Sequence, residues 1–223
     1  MNRPLLNINR PKVLLTGFDA FGGDTVNPSW LAVQALQGEL IAGHTVIAAQ
    51  LPTEFVASRA VIGRLLTKHR PVVVVCVGLA GGRAGFSLER VAINVQDARI
   101  ADNAGAQPID VPVIKAGPAA YFSTLPIKAI LQTLKSAGIH TEISQTAGTF
   151  VCNHVFYALM HALEKQRRKT ATKPRGGFVH VPYLPGQGMP CMPLDEIVRG
   201  LRLALAQTLL TKRDLALSAG ALS

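Results

Sequence analysis

The stretch Pro71-Val72-Val73-Val74-Val75-Cys76-Val77-Gly78-Leu79-Ala80, "PVVVVCVGLA" (71–80), is the longest apolar run in the chain and decides its class. A strand with one wet face alternates polar and apolar residues, and this one does not. Consecutive valines describe a strand covered on both faces, which belongs at the centre of a parallel sheet. The run is far shorter than the roughly 20 residues of a membrane-spanning helix.

Working outward, helical patterns alternate with β-rich ones. Strands are predicted at 12–16, 45–51, 72–77, 91–95, 142–146 and 178–181, and helices at 29–37, 54–69, 118–137, 151–167 and 194–212. In 54–69, Phe55, Ile62 and Leu65 keep helical spacing; in 194–212, Leu194, Ile197, Val198, Leu201 and Leu205 do so, with acids at the start and bases at the end. Alternation of this kind predicts an α/β fold, a three-layer α/β/α sandwich around a mostly parallel twisted sheet. At 223 residues without repeats or a linker, the chain reads as a single domain (1–223), with residues 1–11 as a short N-terminal extension.

Hydrophobic residues make up 48% and charged ones 16%, and mean hydropathy is +0.27, which excludes a disordered chain. Neither a secretory signal nor a membrane span is visible. Three cysteines, an odd number, form no disulfide framework and suit a reducing cytoplasm. The net charge of +10 invites a nucleic-acid reading, but six basic residues are gathered in "EKQRRKTATKPRGG" (164–177) without aromatics for stacking. A solvated helix end explains that run, so no nucleic acid and no membrane are expected as partners.

In open α/β sheets, sites form beyond the carboxyl ends of strands. "GFDAFGG", "GLAGGRAG", "AGTFVC" and "PYLPGQG" are expected there. The glycines of "VGLAGGRAG" lack the spacing of a phosphate cradle, leaving a nucleoside- or phosphate-binding α/β transferase as the alternative reading. Cys76 lies inside the valine strand and reads as packing, and Cys191, in "GMPCMPL", has no activating partner in view. Cys152 falls on the first turn of a helix, where the dipole favours a thiolate. A thiolate nucleophile needs a proton carrier. His154 shares the helix but points elsewhere at i+2, and no ligand cluster supports a metal. His180, ending a strand before "VPYLPGQG", is the histidine that topology can bring to Cys152. Nothing physical separates Glu89 from Asp97, Asp102 or Asp195 as a third member.

Five blocks then carry a resemblance: "VLLTGFDAFGGDTVNPSW" (13–30), "GGR" with "ERVAINVQDARIADNAG" (81–105), "GPAAYFSTLPIK" (117–128), "AGTFVCNHVFY" (147–157) and "GFVHVPYLPGQ" (177–187). In that order they resemble the pyrrolidone-carboxyl peptidases (pyroglutamyl peptidase I). The resemblance implies a cysteine exopeptidase that removes N-terminal pyroglutamate from peptides, an omega peptidase without metal or cofactor, working as a homo-oligomer (tetramer or dimer) in the cytoplasm. It implies Cys152 as nucleophile, His180 as general base and Glu89 as its carboxylate partner. Arg99 is implied as oxyanion support, with Phe18, Phe21, Thr53, Leu79 and Phe150 around the substrate. Two departures stand out: Leu79 replaces a common glutamine, and Ala101 a common proline.

Overall fold

The valine run forms β4 (Val73–Leu79), buried at every position. Its neighbours are β1 (Lys12–Phe18) and β9 (Arg175–Val181), both parallel to it. The computed structural model describes residues 10–167 and 173–220, so most of the expected N-terminal extension and the middle of the basic 164–177 segment lie outside the described residues. β2 (Leu40–Ile41), β3 (His44–Leu51), β5 (Phe86–Glu89) and β8 (Thr141–Ser144) complete a seven-stranded sheet in the order β2-β3-β1-β4-β9-β5-β8. Most pairings are parallel, with β2 against β3 and β5 against β9 as the antiparallel ones.

Alternation along β1 and β4 splits the core between two faces. Val13, Leu15, Val73, Val75 and Val77 pack under α1 (Pro28–Ala35), α3 (Ile127–Ser136) and α5 (Leu194–Leu210). Leu14, Phe18, Val74, Cys76 and Phe178 pack under α2 (Phe55–His69) and α4 (Val151–Arg167). The three-layer α/β/α architecture of the sequence reading is therefore the observed one. Among the described residues no helix is long and apolar enough to cross a membrane.

Two local expectations are corrected. The strand expected at 91–95 is β6 (Val91–Ile93), which leaves the main sheet and pairs with β7 (Ala120–Phe122) in a two-stranded sheet. Its place in the main sheet is taken by β5, whose sequence "FSLE" has too little alternation to declare itself. The helix expected from 118 starts only at Ile127, because Pro126 disfavours helical geometry in the residue before it and caps α3 instead. Asp214, from the segment after α5, supplies what that cap lacks: its carboxylate accepts from the N–H groups of Lys128 and Ala129.

The start of α1 sets the first of the loops near the site. Asn27 caps the helix, its Oδ1 accepting from the Ser29 N–H at 3.0 Å, while its Nδ2 donates to the Asp19 carbonyl. Ser29 Oγ in turn accepts from the Phe18 N–H at 3.0 Å. Gly17 permits this approach, since a Cβ there would lie 2.7 Å from the Ser29 backbone. Asn27→Ala removes both the cap and the tie to Asp19; a loss of about 1–2 kcal/mol is expected, read as a fall in the urea midpoint at unchanged m-value.

Candidate active site

β9 carries His180 one residue from its end, and β5 ends on Glu89. The two strands are antiparallel, with His180 opposite Ser87 and Glu89 opposite Phe178. His180 and Glu89 are thus diagonal neighbours on one face, within reach for long side chains. His180 Nδ1 lies 2.8 Å from Glu89 Oε1, with the Glu89 side chain fully buried and the His180 side chain 5% exposed. A carboxylate accepts only, so this contact puts the proton on Nδ1 and leaves the Nε2 lone pair free.

Cys152 reaches the same face from above. In the parallel register, His180 pairs with Gly78 of β4, and a Cβ on Gly78 would stand 3.0 Å from Cys152 Sγ and 2.8 Å from the Phe178 ring. The thiol therefore sits on the bare backbone of Gly78, beside the strand position of His180. Among the described residues no hydrogen bond joins Sγ to the imidazole in this geometry. The route to this point differs from the expected one, because β8 runs against β9 and its carboxyl end faces the other way. Residues 145–150 carry the chain back to Gly78, where α4 begins.

The thiol's electrostatics also correct the sequence reading. Helix position favours the thiolate, but burial pushes the Cys152 thiol up to about 12, the Glu89 charge adding to the rise and Arg83 opposing it. Cys152 is half-buried as a residue, while its thiol lies in dry surroundings. Cys76, wholly inside β4, is pushed up to about 12 by burial, with Thr16 opposing the rise.

Aromatic rings line this end of the sheet in two chains. Phe18 lies 6.2 Å from Phe178, which lies 4.8 Å from the His180 ring. Phe21 lies 6.2 Å from Phe150, and Phe150 meets Phe55 edge-on at 5.4 Å. The chain ends on His154, edge-on to Phe55; burial lowers its pKa to about 4, with Arg59 assisting. Its Nδ1 is 2.8 Å from Gln96 Oε1.

The chain belongs to the pyroglutamyl peptidase family. The family model of that description matches residues 11–210. The pyrrolidone-carboxylate peptidase 1 of Ralstonia nicotianae is 55% identical over 217 residues, covering 95% of this chain and 99% of that one. The pyrrolidone-carboxylate peptidase of Bacillus licheniformis is 50% identical over 216 residues, covering 95% and 99%. Among solved structures, pyroglutamyl peptidase I from Bacillus amyloliquefaciens superposes with a TM-score of 0.89 at 44% identity, covering 93% of this chain and 99% of that one. The pyrrolidone carboxyl peptidase from Thermococcus litoralis gives 0.88 at 33%, covering 93% and 99%.

The other residues singled out from the sequence are placed less directly. Thr53 is buried and already committed: its N–H donates to Asp19 Oδ1 at 2.7 Å and its hydroxyl to the Asp19 carbonyl. Leu79 continues the alternation of Val73, Val75 and Val77, so its side chain belongs to the opposite face and only its main chain borders the site. Arg99 is exposed, without an ion pair among the described residues, on a loop pinned by the Asp97 N–H donating to the Thr149 carbonyl.

Sequence reasoning missed three participants. Phe55 joins the rings through a helix start; Asn153 holds β6 by accepting from the Ile93 N–H and donating to the Ile93 and Val95 carbonyls. Arg83, in the glycine loop after β4, donates from Nη1 to Glu89 Oε1 at 2.7 Å. The "GGR" in that loop was visible in the sequence, but its partner was not. Gly81 of the same loop backs onto the Tyr183 ring, a packing use of glycine that disfavours the phosphate-binding alternative. A cavity of about 770 Å³ lies at the amino ends of the strands between Leu66, Arg70, Val72, Lys165 and Pro174, and holds none of these residues.

Gly78→Ala tests the contact on which the thiol's position depends. The added methyl has to displace Sγ or the Phe178 ring; an overpacking cost of about 1–3 kcal/mol is expected, together with a drop in the alkylation rate of Cys152 at fixed pH.

Proposed function

We propose that this protein is a cysteine exopeptidase that hydrolyses the amide bond after an N-terminal pyroglutamyl residue, through a thioester. The reading rests on one observation above the rest: the Glu89–His180 pair and the Cys152 thiol share one face of the sheet, beside a cluster of phenylalanines, in a chain of the pyroglutamyl peptidase family.

His180 Nε2 takes the thiol proton as Sγ attacks the pyroglutamyl carbonyl. Because burial disfavours the free thiolate, the imidazole is needed to take the thiol proton. Glu89 orients the imidazole and stabilises its cation. Arg99, exposed on its pinned loop and without an ion pair among the described residues, swings to the developing oxyanion together with backbone N–H groups at the start of α4. The imidazolium protonates the leaving amine, and water then hydrolyses the thioester.

Cyclised glutamine has lost its α-ammonium and offers a flat, neutral lactam with one donor and one acceptor. Phe18, Phe21, Phe150 and Phe55 suit such a ring, with Thr53 and the Leu79 main chain as neighbouring polar groups. All three cysteines are free thiols, which fits work in a reducing cytoplasm. Exposed Ile109, Phe122 and Met189 leave apolar surface for the homo-oligomer, tetramer or dimer, that the family resemblance implies.

Cys152→Ala is expected to reduce hydrolysis of a pyroglutamyl chromogenic amide to background with an unchanged circular dichroism spectrum, whereas Cys76→Ser and Cys191→Ser retain it. Retained turnover in Cys152→Ala removes the thiol from the mechanism. Peptides beginning with free glutamine or glutamate are refused, and equal cleavage of both kinds would discredit the uncharged pocket.

A further inference from the structure

Arg83 has no role in the mechanism so far. It projects from the loop between β4 and β5, and its two guanidinium nitrogens reach different acceptors. Nη1 donates to Glu89 Oε1 at 2.7 Å, and Nη2 donates to the Thr146 carbonyl at 3.2 Å. The first bond falls on the oxygen that also accepts from His180 Nδ1 at 2.8 Å. The other carboxylate oxygen, Oε2, is buried without a hydrogen-bond partner among the described residues.

The charge on Glu89 therefore needs an account. Its side chain is fully buried, and a neutral imidazole supplies a hydrogen bond but no positive charge. The other titratable groups around it do not help. Cys152 from α4 and Cys76 from β4 are thiols pushed up by burial, and Glu142 from β8 is an acid engaged by the Ser87 hydroxyl. Arg90, next in sequence, turns away to Gln145 and the Ala219 carbonyl. The Arg83 ion pair is what opposes the buried charge.

We propose that Arg83 is a positioning residue for the reaction: its guanidinium fixes Glu89 as the acceptor of the His180 Nδ1 proton and so keeps Nε2 free to take the proton of the thiol. Without the cation, a buried carboxyl sheds its charge by binding a proton. Its O–H then donates to Nδ1, the imidazole proton moves to Nε2, and the face toward the thiol becomes a donor. The second guanidinium bond matters as well, because Thr146 lies on the segment that delivers Cys152 to Gly78. One side chain thus ties the orienting carboxylate to the nucleophile's approach. Its charge also opposes the Glu89 charge at the thiol itself.

This inference rests on the peptidase reading, and its test separates the two. Arg83→Met and Arg83→Lys are compared with the unaltered protein by hydrolysis of a pyroglutamyl amide from acid to alkaline pH. In parallel, iodoacetamide modification of Cys152 is followed by mass spectrometry over the same range. In Arg83→Met, kcat is expected to fall about 10²-fold with little change in KM. The acid limb of kcat/KM and the onset of alkylation both move to higher pH by about one pH unit or more, since loss of a nearby cation disfavours every anion in the cluster. Arg83→Lys recovers most of the loss. The proposal is overturned if Arg83→Met stays within about threefold of the unaltered protein with unmoved limbs, or if its loss is independent of pH and lysine does not restore it. If the unaltered protein leaves pyroglutamyl amides intact, the peptidase reading falls, and the alkylation profiles alone still decide for or against Arg83.

Discussion

One carboxylate oxygen, Glu89 Oε1, holds two donors that arrive from different parts of the chain, and the surrounding architecture is arranged so that they can meet. The Arg83 guanidinium comes from the loop after the central strand and the His180 imidazole from the neighbouring one. Leaving such a buried charge without partners costs on the order of 3–5 kcal/mol, a large part of a domain's net stability. The pairing in turn depends on β5 running against β9, because that reversal brings the end of β5 level with Phe178 and diagonal to His180. The antiparallel insertion is thus the feature of topology on which the site's geometry rests.

The nucleophile shows two familiar effects in competition. A helix start stabilises a thiolate by a modest amount, typically about 0.3–1 kcal/mol. Each pKa unit is worth about 1.4 kcal/mol, so burial outweighs the helix and leaves the thiol at about 12. A neutral thiol is a weak nucleophile and a slow target for oxidants. Reactivity then depends on a base correctly protonated and correctly turned, which returns the burden to Glu89 and its partners. The dry surroundings that disfavour the thiolate also strengthen every dipole aimed at the reacting carbonyl.

The architecture was largely legible because valine repetition and helical periodicity report burial directly. Cys152, His180 and Glu89 come to one face, although spacing alone ranked Glu89 no higher than Asp97, Asp102 or Asp195. What escaped the sequence was whatever depends on pairing between distant segments. β5 is only four residues long and carries no strong pattern, so its insertion beside β9 could not be read, nor the exile of β6 to a separate pair. The partners of Arg83 and Asn153 lie in other elements, and no local signal names them. The sign of the thiol shift failed for a related reason: helix position is a local property, whereas desolvation is set by the whole fold.

The same logic explains how a wall containing carboxylates can serve an uncharged substrate. Asp102 is buried, yet Oδ2 accepts from the Phe55 N–H at 2.9 Å while Oδ1 accepts from the N–H groups of Ala104 and Ala106. Asp19 accepts from the Thr53 N–H and from Asn103. Both acids accept from N–H donors, backbone ones for Asp102 and a backbone and a side-chain amide for Asp19, that hold the 18–21, 53–55 and 102–106 segments together around the phenylalanines. His154, depressed to about 4 by burial, adds no positive charge near neutral pH. A substrate ammonium placed here would have to strip a hydrogen-bonded carboxylate from its donors before gaining a partner. A lactam asks for no such exchange, so the proposed refusal of free amino termini would follow from acids already hydrogen-bonded rather than from an absence of acids.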